Sequence, residues 1–264
     1  MFLCKMSSKG ITNFKNVFDL YGQIGIKDVC FDVKKTGIYI YTTFDKSIHA
    51  MATFHNSSFL IYNCNTECAF TLNIKSMKEN LKNITSIDTI ELSIKKDREM
   101  TIKVDKKTIE FEKKLYMKET QFYGLPELDQ VEPLNIKSSD FLELCRSING
   151  KFNMTIKTEE NVPEIIFESE KSKITIKGDK TENRKILPFE GEFKAEYFSK
   201  FKKFTKFNSN TIKVYINPNQ PLTFEASIPT VGSKDKDKEK YKDKITIWIK
   251  SLKQIDTDYE EMEP

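Results

Sequence analysis

Few residues in this 264-residue chain have the type and spacing that bond-making chemistry needs. Of the two histidines, His49 and His55, neither belongs to an H-x-x-x-H ligand pair or has an evident nucleophile partner. The five cysteines (4, 30, 64, 68 and 145) form an odd set, and their one close pair, Cys64 and Cys68, has three residues between. A zinc ribbon needs two C-x-x-C pairs, so these read as reduced thiols. No Gly-rich loop opens a helix, which leaves phosphate cradling by backbone N–H groups unsupported. Neither an enzyme, nor a metal site, nor a bound cofactor is expected. The most informative stretch that remains sets lysines beside aromatic rings. Over Ala195–Lys206, Tyr197, Phe198, Phe201 and Phe204 share one side of a helical wheel, while Lys200, Lys202, Lys203 and Lys206 spread over the other. By itself such a face reads as a surface helix with a solvated lysine side.

That segment is one of four that suit helices, the others being Asn13–Tyr21, Met77–Ile84 and Ser139–Ile148. Ser76-Met-Lys-Glu79 reads as a capping box opening the second of them. The rest alternates as short strands: Cys30–Val33, Gly37–Tyr41, Ala50–Phe54, Ile90–Ile94, Thr101–Val104, Ile174–Ile176, Ile212–Ile216, Leu222–Ala226 and Ile245–Ile249. Period two with β-branched and aromatic residues means sheet with one buried face, so the chain is mainly β. Asn73-Ile-Lys-Ser76 and Asn135-Ile-Lys-Ser138 form a weak internal repeat, each closing a strand and opening a helix. The halves 1–117 and 134–264 therefore read as two similar domains. Between them 118–133, with Gly124-Leu-Pro126 and Pro133, reads as an extended connector. The Lys/Asp-rich stretch 233–244 reads as a solvated hairpin insert, and the acidic tail 256–264 as mobile.

Composition narrows the class. Hydrophobic residues are 38 % and charged residues 31 %, but twenty Phe can still fill a core. No apolar run approaches the ~18 residues of a membrane span, and the first residues lack a signal-peptide layout. A soluble, intracellular protein without a membrane partner is expected. Net charge is +4 and the pI about 8.6, below the ~9 that would by itself point to nucleic acid.

The order of elements resembles the sliding clamps of the proliferating cell nuclear antigen (PCNA) family over nearly the whole chain. Phe14-Lys-Asn-Val-Phe18 is similar to the family's first helix, and Cys30-Phe-Asp-Val33, Gly37-Ile-Tyr-Ile-Tyr41 and Asp45-Lys-Ser47 follow its next landmarks in register. Tyr62-Asn-Cys64, Leu72-Asn-Ile-Lys-Ser-Met77, Phe141-Leu-Glu-Leu-Cys-Arg146, Pro221-Leu222, Trp248 and the acidic end complete the series. Each motif is weak alone; their number and order carry the resemblance. The many Lys, Ile, Asn and Phe residues suggest an AT-rich genome, and the divergence a large DNA virus or a protist.

The resemblance implies an α+β DNA clamp fold, with two topologically similar domains of β-sheets and two helices each, closing into a homotrimeric ring by oligomerisation. It implies a DNA sliding clamp that encircles duplex DNA without reading sequence. Such a clamp serves as a polymerase processivity factor and docks replication and repair proteins. The partners implied are double-stranded DNA, a DNA polymerase and other clients, a clamp loader and further copies of the chain. The place of action is the nucleus, or a cytoplasmic viral replication site. Matching helices assign Lys15, Lys78, Lys82, Arg146, Lys200, Lys203 and Lys206 to DNA. Glu79, Glu143 and Asn16 stand where the family tends to be basic. Phe44, Ile48, Met51, Leu125, Leu128, Pro221 and Trp248 match the pocket for client peptides. Ile109, Phe111 and Leu115 would meet Ile174 and Ile176 of a neighbouring copy. The alternative is a clamp-folded processivity or late-transcription factor that binds DNA as a monomer or dimer without ring closure. A net charge of +4, where many family members are acidic, keeps it open.

Overall fold

A computed structural model describes residues 1–85, 88–96, 98–106, 109–120, 124–126, 132–159, 162–178, 188–207, 210–229 and 243–260. The chain forms two compact units. The first comprises Met1–Thr42, Met51–Tyr123 and Ser227–Ile245, the second Thr43–Ala50, Gly124–Ala226 and Thr246–Pro264. Antiparallel sheets make up most of both, with a few helices, an α+β architecture. Among the described residues no helix is long and apolar enough to cross a membrane.

In the first unit, β1 (Phe2–Met6) sits between β5 (Ile61–Cys64) and β7 (Thr89–Lys96), and β8 (Glu99–Lys106) and β9 (Ile109–Tyr116) extend the same sheet. Strand β2 (Asp28–Lys34) lies between β3 (Gly37–Phe44) and β6 (Cys68–Asn73), with Phe31 opposite both Ile40 and Phe70. Phe31 stacks on Phe70 with centroids 5.2 Å apart and meets Phe18 of α1 (Ser8–Ile24) at 6.1 Å. Phe14 adds an edge contact to Phe18 at 5.0 Å. Helix α1 runs longer than its periodic stretch because both ends are closed. Ser7 Oγ accepts from the Gly10 N–H at 3.3 Å, and Gly25, at φ 98°, turns the chain out in the left-handed region.

The cap of α2 (Ile74–Leu81) departs from expectation. Asn73, not Ser76, is the cap: its Oδ1 accepts from the Ser76 N–H at 3.1 Å. Its amide meanwhile donates to Lys27 O and Asp28 Oδ1, both at 3.1 Å. Asn is at least as good a cap as Ser, and here it is pinned at the end of β6. Glu79 falls beyond the first turn.

In the second unit, β13 (Lys173–Lys177), β12 (Val162–Glu168), β11 (Lys151–Glu159) and β14 (Phe189–Lys194) form a four-stranded sheet in that order. Strand β10 (Leu134–Lys137) pairs with β15 (Thr211–Tyr215), which pairs in turn with β16 (Leu222–Ser227). Strand β4 (Ile48–His55) follows β3 through Asp45 and Lys46, both at positive φ (49° and 52°). The Ser47 N–H closes that turn onto Phe44 O at 3.1 Å, as in the tight turns that suit twisted hairpins. Phe198 centres the core, 5.0 Å from Phe152 and 5.8 Å from Phe224.

The helix expected over Ala195–Lys206 is interrupted. Helix α4 covers Ala195–Ser199, and Lys202–Phe207 is a 3-10 turn. Phe198, Phe201, Phe204 and Phe207 recur every third residue and are all fully buried. Three residues per turn puts them on one side, where an α-helix would rotate the last one out. Helix α3 (Ser138–Ser147) lies where expected. The tail, expected to be mobile, instead forms α5 (Leu252–Glu260) as far as it is described. Ser251 Oγ accepts from the Gln254 N–H at 3.3 Å while Gln254 Oε1 accepts from the Ser251 N–H at 2.8 Å, a reciprocal capping box. Residues 261–264, half of the connector (121–123 and 127–131) and 230–242, which take in all but the end of the Lys/Asp-rich stretch, lie outside the described residues. The base of that stretch is closed. The Ile228 N–H donates to Asp243 O at 2.7 Å, and Asn13 Nδ2 to Pro229 O at 2.7 Å. Asp243 Oδ1 accepts from the His55 N–H and the Ser58 hydroxyl, both at 2.8 Å.

Candidate nucleic-acid and docking surfaces

In the first unit, α1 and α2 flank a cleft of about 850 Å³ whose lining includes Lys15, Lys78 and Lys82, three of the seven cations assigned from sequence. They are not equivalent. Lys15 Nζ donates to Ile84 O at 3.0 Å, beyond the end of α2. Lys78 pairs with Asp19 at 3.3 Å, both side chains about 40 % exposed, so the pair adds little stability. Lys82 caps α2 and is exposed. Lys27 and Lys75 line the same cleft. Sequence reading passed over both, although Lys75 lies on the helix already chosen and Lys27 just before β2.

In the second unit, Arg146 is exposed in the last turn of α3, where a cation complements the helix dipole. The 3-10 turn carries Lys203, half-buried, and Lys206, exposed. The Phe141–Phe204 contact at 5.8 Å holds that turn against α3. Lys200 stands apart. Its Nζ lies 4.2 Å from the centroid of the Phe44 ring and 2.9 Å from Glu196 Oε1, with only 18 % of the side chain exposed. One cation assigned to DNA is therefore brought onto an aromatic assigned to docking. A cation over a ring face is attractive in its own right.

Of the docking residues, Phe44, Leu125 and Pro221 of the second unit and Met51 of the first are half-buried. Ile48 (1 % exposed) and Trp248 (3 %) are core residues. The Trp248 Nε1–H finds no acceptor among the described residues. Leu128 lies outside the described residues.

The strands assigned to subunit contact are both sheet edges. Strand β9 ends the five-stranded sheet and β13 the four-stranded one. On β9, Leu115 packs inward, Phe111 is half-buried, Ile109 is 62 % exposed and Tyr116 81 % exposed. On β13, Ile176 is buried and Ile174 half-buried. The inward side chains hold each edge flat against its own sheet, leaving main-chain donors and acceptors along the open side.

The nucleophilic groups are subdued. Cys4, Cys30 and Cys145 are buried and Cys64 and Cys68 half-buried, all as free thiols. Burial pushes the Cys145 thiol up to about 12, and Cys4 higher still. Burial, then Lys244, holds His55 below the ordinary imidazole range. Among the described residues no three His, Cys, Asp or Glu side chains are grouped to hold a metal ion.

Residues 1–124 match the family model for the N-terminal domain of proliferating cell nuclear antigen. The chain is also 47 % identical, over 274 aligned positions, to uncharacterized protein 060L of Invertebrate iridescent virus 3, covering 98 % of this chain and 91 % of that protein.

Proposed function

Because the chain belongs to the proliferating cell nuclear antigen family, we propose that it acts as a DNA sliding clamp: a ring around duplex DNA that tethers a polymerase and docks other replication and repair proteins. The observation that carries this reading is the pair of open strand edges, β9 on the first unit and β13 on the second. Antiparallel pairing of β9 with β13 of the next copy satisfies both rows of main-chain groups. Repeated head to tail, it closes a ring of three chains and six similar domains. Ile109 and Phe111 from one copy, and Ile174 from the other, flank the seam.

Holding DNA this way needs no sequence readout. Lys78, Lys82, Arg146, Lys203 and Lys206 supply loose phosphate contacts that are individually weak and blind to sequence, so sliding costs little. Lys15 contributes charge from a fixed position, and Lys200 belongs with Phe44 on the client side. In the second unit, half-buried Phe44, Leu125 and Pro221 offer apolar surface for an aromatic plug from a client peptide, with Ile48 and Trp248 in the core of the same unit. The clamp performs no chemistry of its own. It works with a polymerase and a loader wherever the DNA is copied, in the nucleus or at a cytoplasmic viral replication site.

Two measurements test the reading together: solution mass by light scattering over a concentration series, and retention on closed circular against linear DNA after a salt wash. The expected results are a mass near three times 30.8 kDa and retention on the circle alone, because a trapped ring resists salt while direct phosphate contacts do not. A monomer at every concentration, with equal loss from both DNA forms, overturns ring closure. It would leave the alternative of a clamp fold that binds DNA directly.

A further inference from the structure

The chain leaving α3 for β11 holds the one Asn-Gly pair in the sequence, Asn149-Gly150; every other asparagine precedes a residue with a side chain. The backbone nitrogen that follows an asparagine can attack its side-chain amide, and a glycine offers that nitrogen with nothing branching beside it. Three observations leave this pair free to react. Both residues are exposed. Gly150 lies in the left-handed region, at φ 69°, where a Cβ would meet nothing within 4 Å. Its carbonyl accepts from the Ala195 N–H at 2.8 Å, but its own N–H has no hydrogen-bond partner among the described residues.

We propose that Asn149 is a site of spontaneous deamidation. The Gly150 nitrogen gives its proton to hydroxide and bonds to the Asn149 side-chain carbonyl carbon. The bond from that carbon to the amide nitrogen breaks, and the nitrogen takes a proton from water and leaves as ammonia. Water then opens the five-membered imide at one carbonyl or the other, giving an aspartate or an isoaspartate. No enzyme, oxidant or metal takes part.

The product matters because of what the amide does in the intact protein. Asn149 Nδ2 donates to Ser147 O at 3.3 Å, one of the carbonyls that the end of α3 leaves open. A carboxylate has no proton to donate there, and it adds negative charge at the negative end of the helix. Arg146 stands in that same last turn. Deamidation therefore loosens the end of α3 and offsets its cation. A further consequence rests on the reading of α3 as DNA-facing: the modified chain holds phosphate less well.

The test is incubation of the full chain in mildly alkaline water enriched in heavy oxygen, with peptide mapping by mass spectrometry at intervals. A short peptide spanning Asn149-Gly150 is followed beside it. The expected result is first-order loss of the Asn149 amide ahead of every other asparagine, with labelled oxygen incorporated at that position. An amide retained in the folded chain while the peptide reacts overturns the site. The variant Asn149→Asp stands in for the product, and its melting temperature should fall by roughly 1–4 °C; an unchanged value overturns the role of the amide at the end of α3. Binding of Asn149→Asp and Arg146→Gln to linear duplex DNA at low salt separates the remaining cases. Both should bind more weakly than the parent. Weakening by Arg146→Gln alone overturns the consequence for DNA, whereas no weakening by either removes α3 from the DNA-facing surface and leaves the modification site standing.

Discussion

Asp243→Asn should stabilise the protein at neutral pH and do nothing in acid. The carboxyl is 2 % exposed and its Oδ1 accepts from the His55 N–H and the Ser58 hydroxyl. Those two bonds favour the charged form, but burial outweighs them and pushes the group from 3.8 up to about 6. Two units correspond to about 3 kcal/mol between the protonation states. Because the folded pKa lies above the unfolded one, the stability at stake is fully present below pH 3.8 and is lost as pH rises through about 6. Asparagine keeps an oxygen acceptor for both donors and, like the protonated carboxyl, carries no charge, and the stronger bonds of the charged form are already contained in the net shift. A gain of about 3 kcal/mol at pH 8, shrinking to nearly nothing by pH 4, is therefore expected. Urea denaturation of both proteins at pH 4, 5, 6, 7 and 8 measures it, and subtracting the two curves cancels the other carboxylates. A difference that stays constant with pH, or a variant less stable at pH 8 than at pH 5 relative to the parent, would refute the assignment of a buried, costly charge.

Two further outcomes are expected. Asn73→Ala should cost about 1 kcal/mol in the same denaturation assay, whereas Ser76→Ala should be nearly neutral; the reverse order would restore Ser76 as the cap. Phe44→Ala should weaken binding of an aromatic client peptide in fluorescence anisotropy with little change in stability. Trp248→Ala should first cost roughly 3–5 kcal/mol as a core truncation. Peptide binding unaffected by Phe44→Ala would remove that ring from the docking surface.

Much of the fold is legible because its strands alternate cleanly. Ile90–Ile94 and Thr101–Val104 lie within β7 and β8, with Ile90, Leu92, Ile102 and Val104 buried. What escaped was local competition. The same tetrapeptide behaves in two ways. Asn73-Ile-Lys-Ser76 begins its helix at Ile74 because Asn73 caps, while Asn135-Ile-Lys-Ser138 remains strand up to Lys137. The second copy starts its helix with no side-chain cap. The break between α4 and the 3-10 turn was readable in the three-residue spacing of Phe198, Phe201, Phe204 and Phe207, which a 100° wheel blurs. Ser251-Leu-Lys-Gln254 announces α5 as plainly as Ser76-Met-Lys-Glu79 misleads. Of the candidate sites, the cations of α1 and α2 are legible as one group. The turn of Lys200 onto Phe44 is not, because it joins residues far apart in sequence whose contact only tertiary packing decides.

The composition of the first unit also has a consequence for synthesis. Phe2 pairs with Ile94, and Ser227–Ile245 is part of the same unit. A ribosome delivering this chain thus makes the first unit's strands early but can finish the unit only once Ile245 has emerged, after most of the second unit. Throughout that interval β9, with Ile109 and Tyr116 outward, waits as an open edge on an incomplete core. Pairing with the wrong strand is the hazard of such an interval. Slowing translation over the second half should lower the yield of soluble protein more than slowing it over the first.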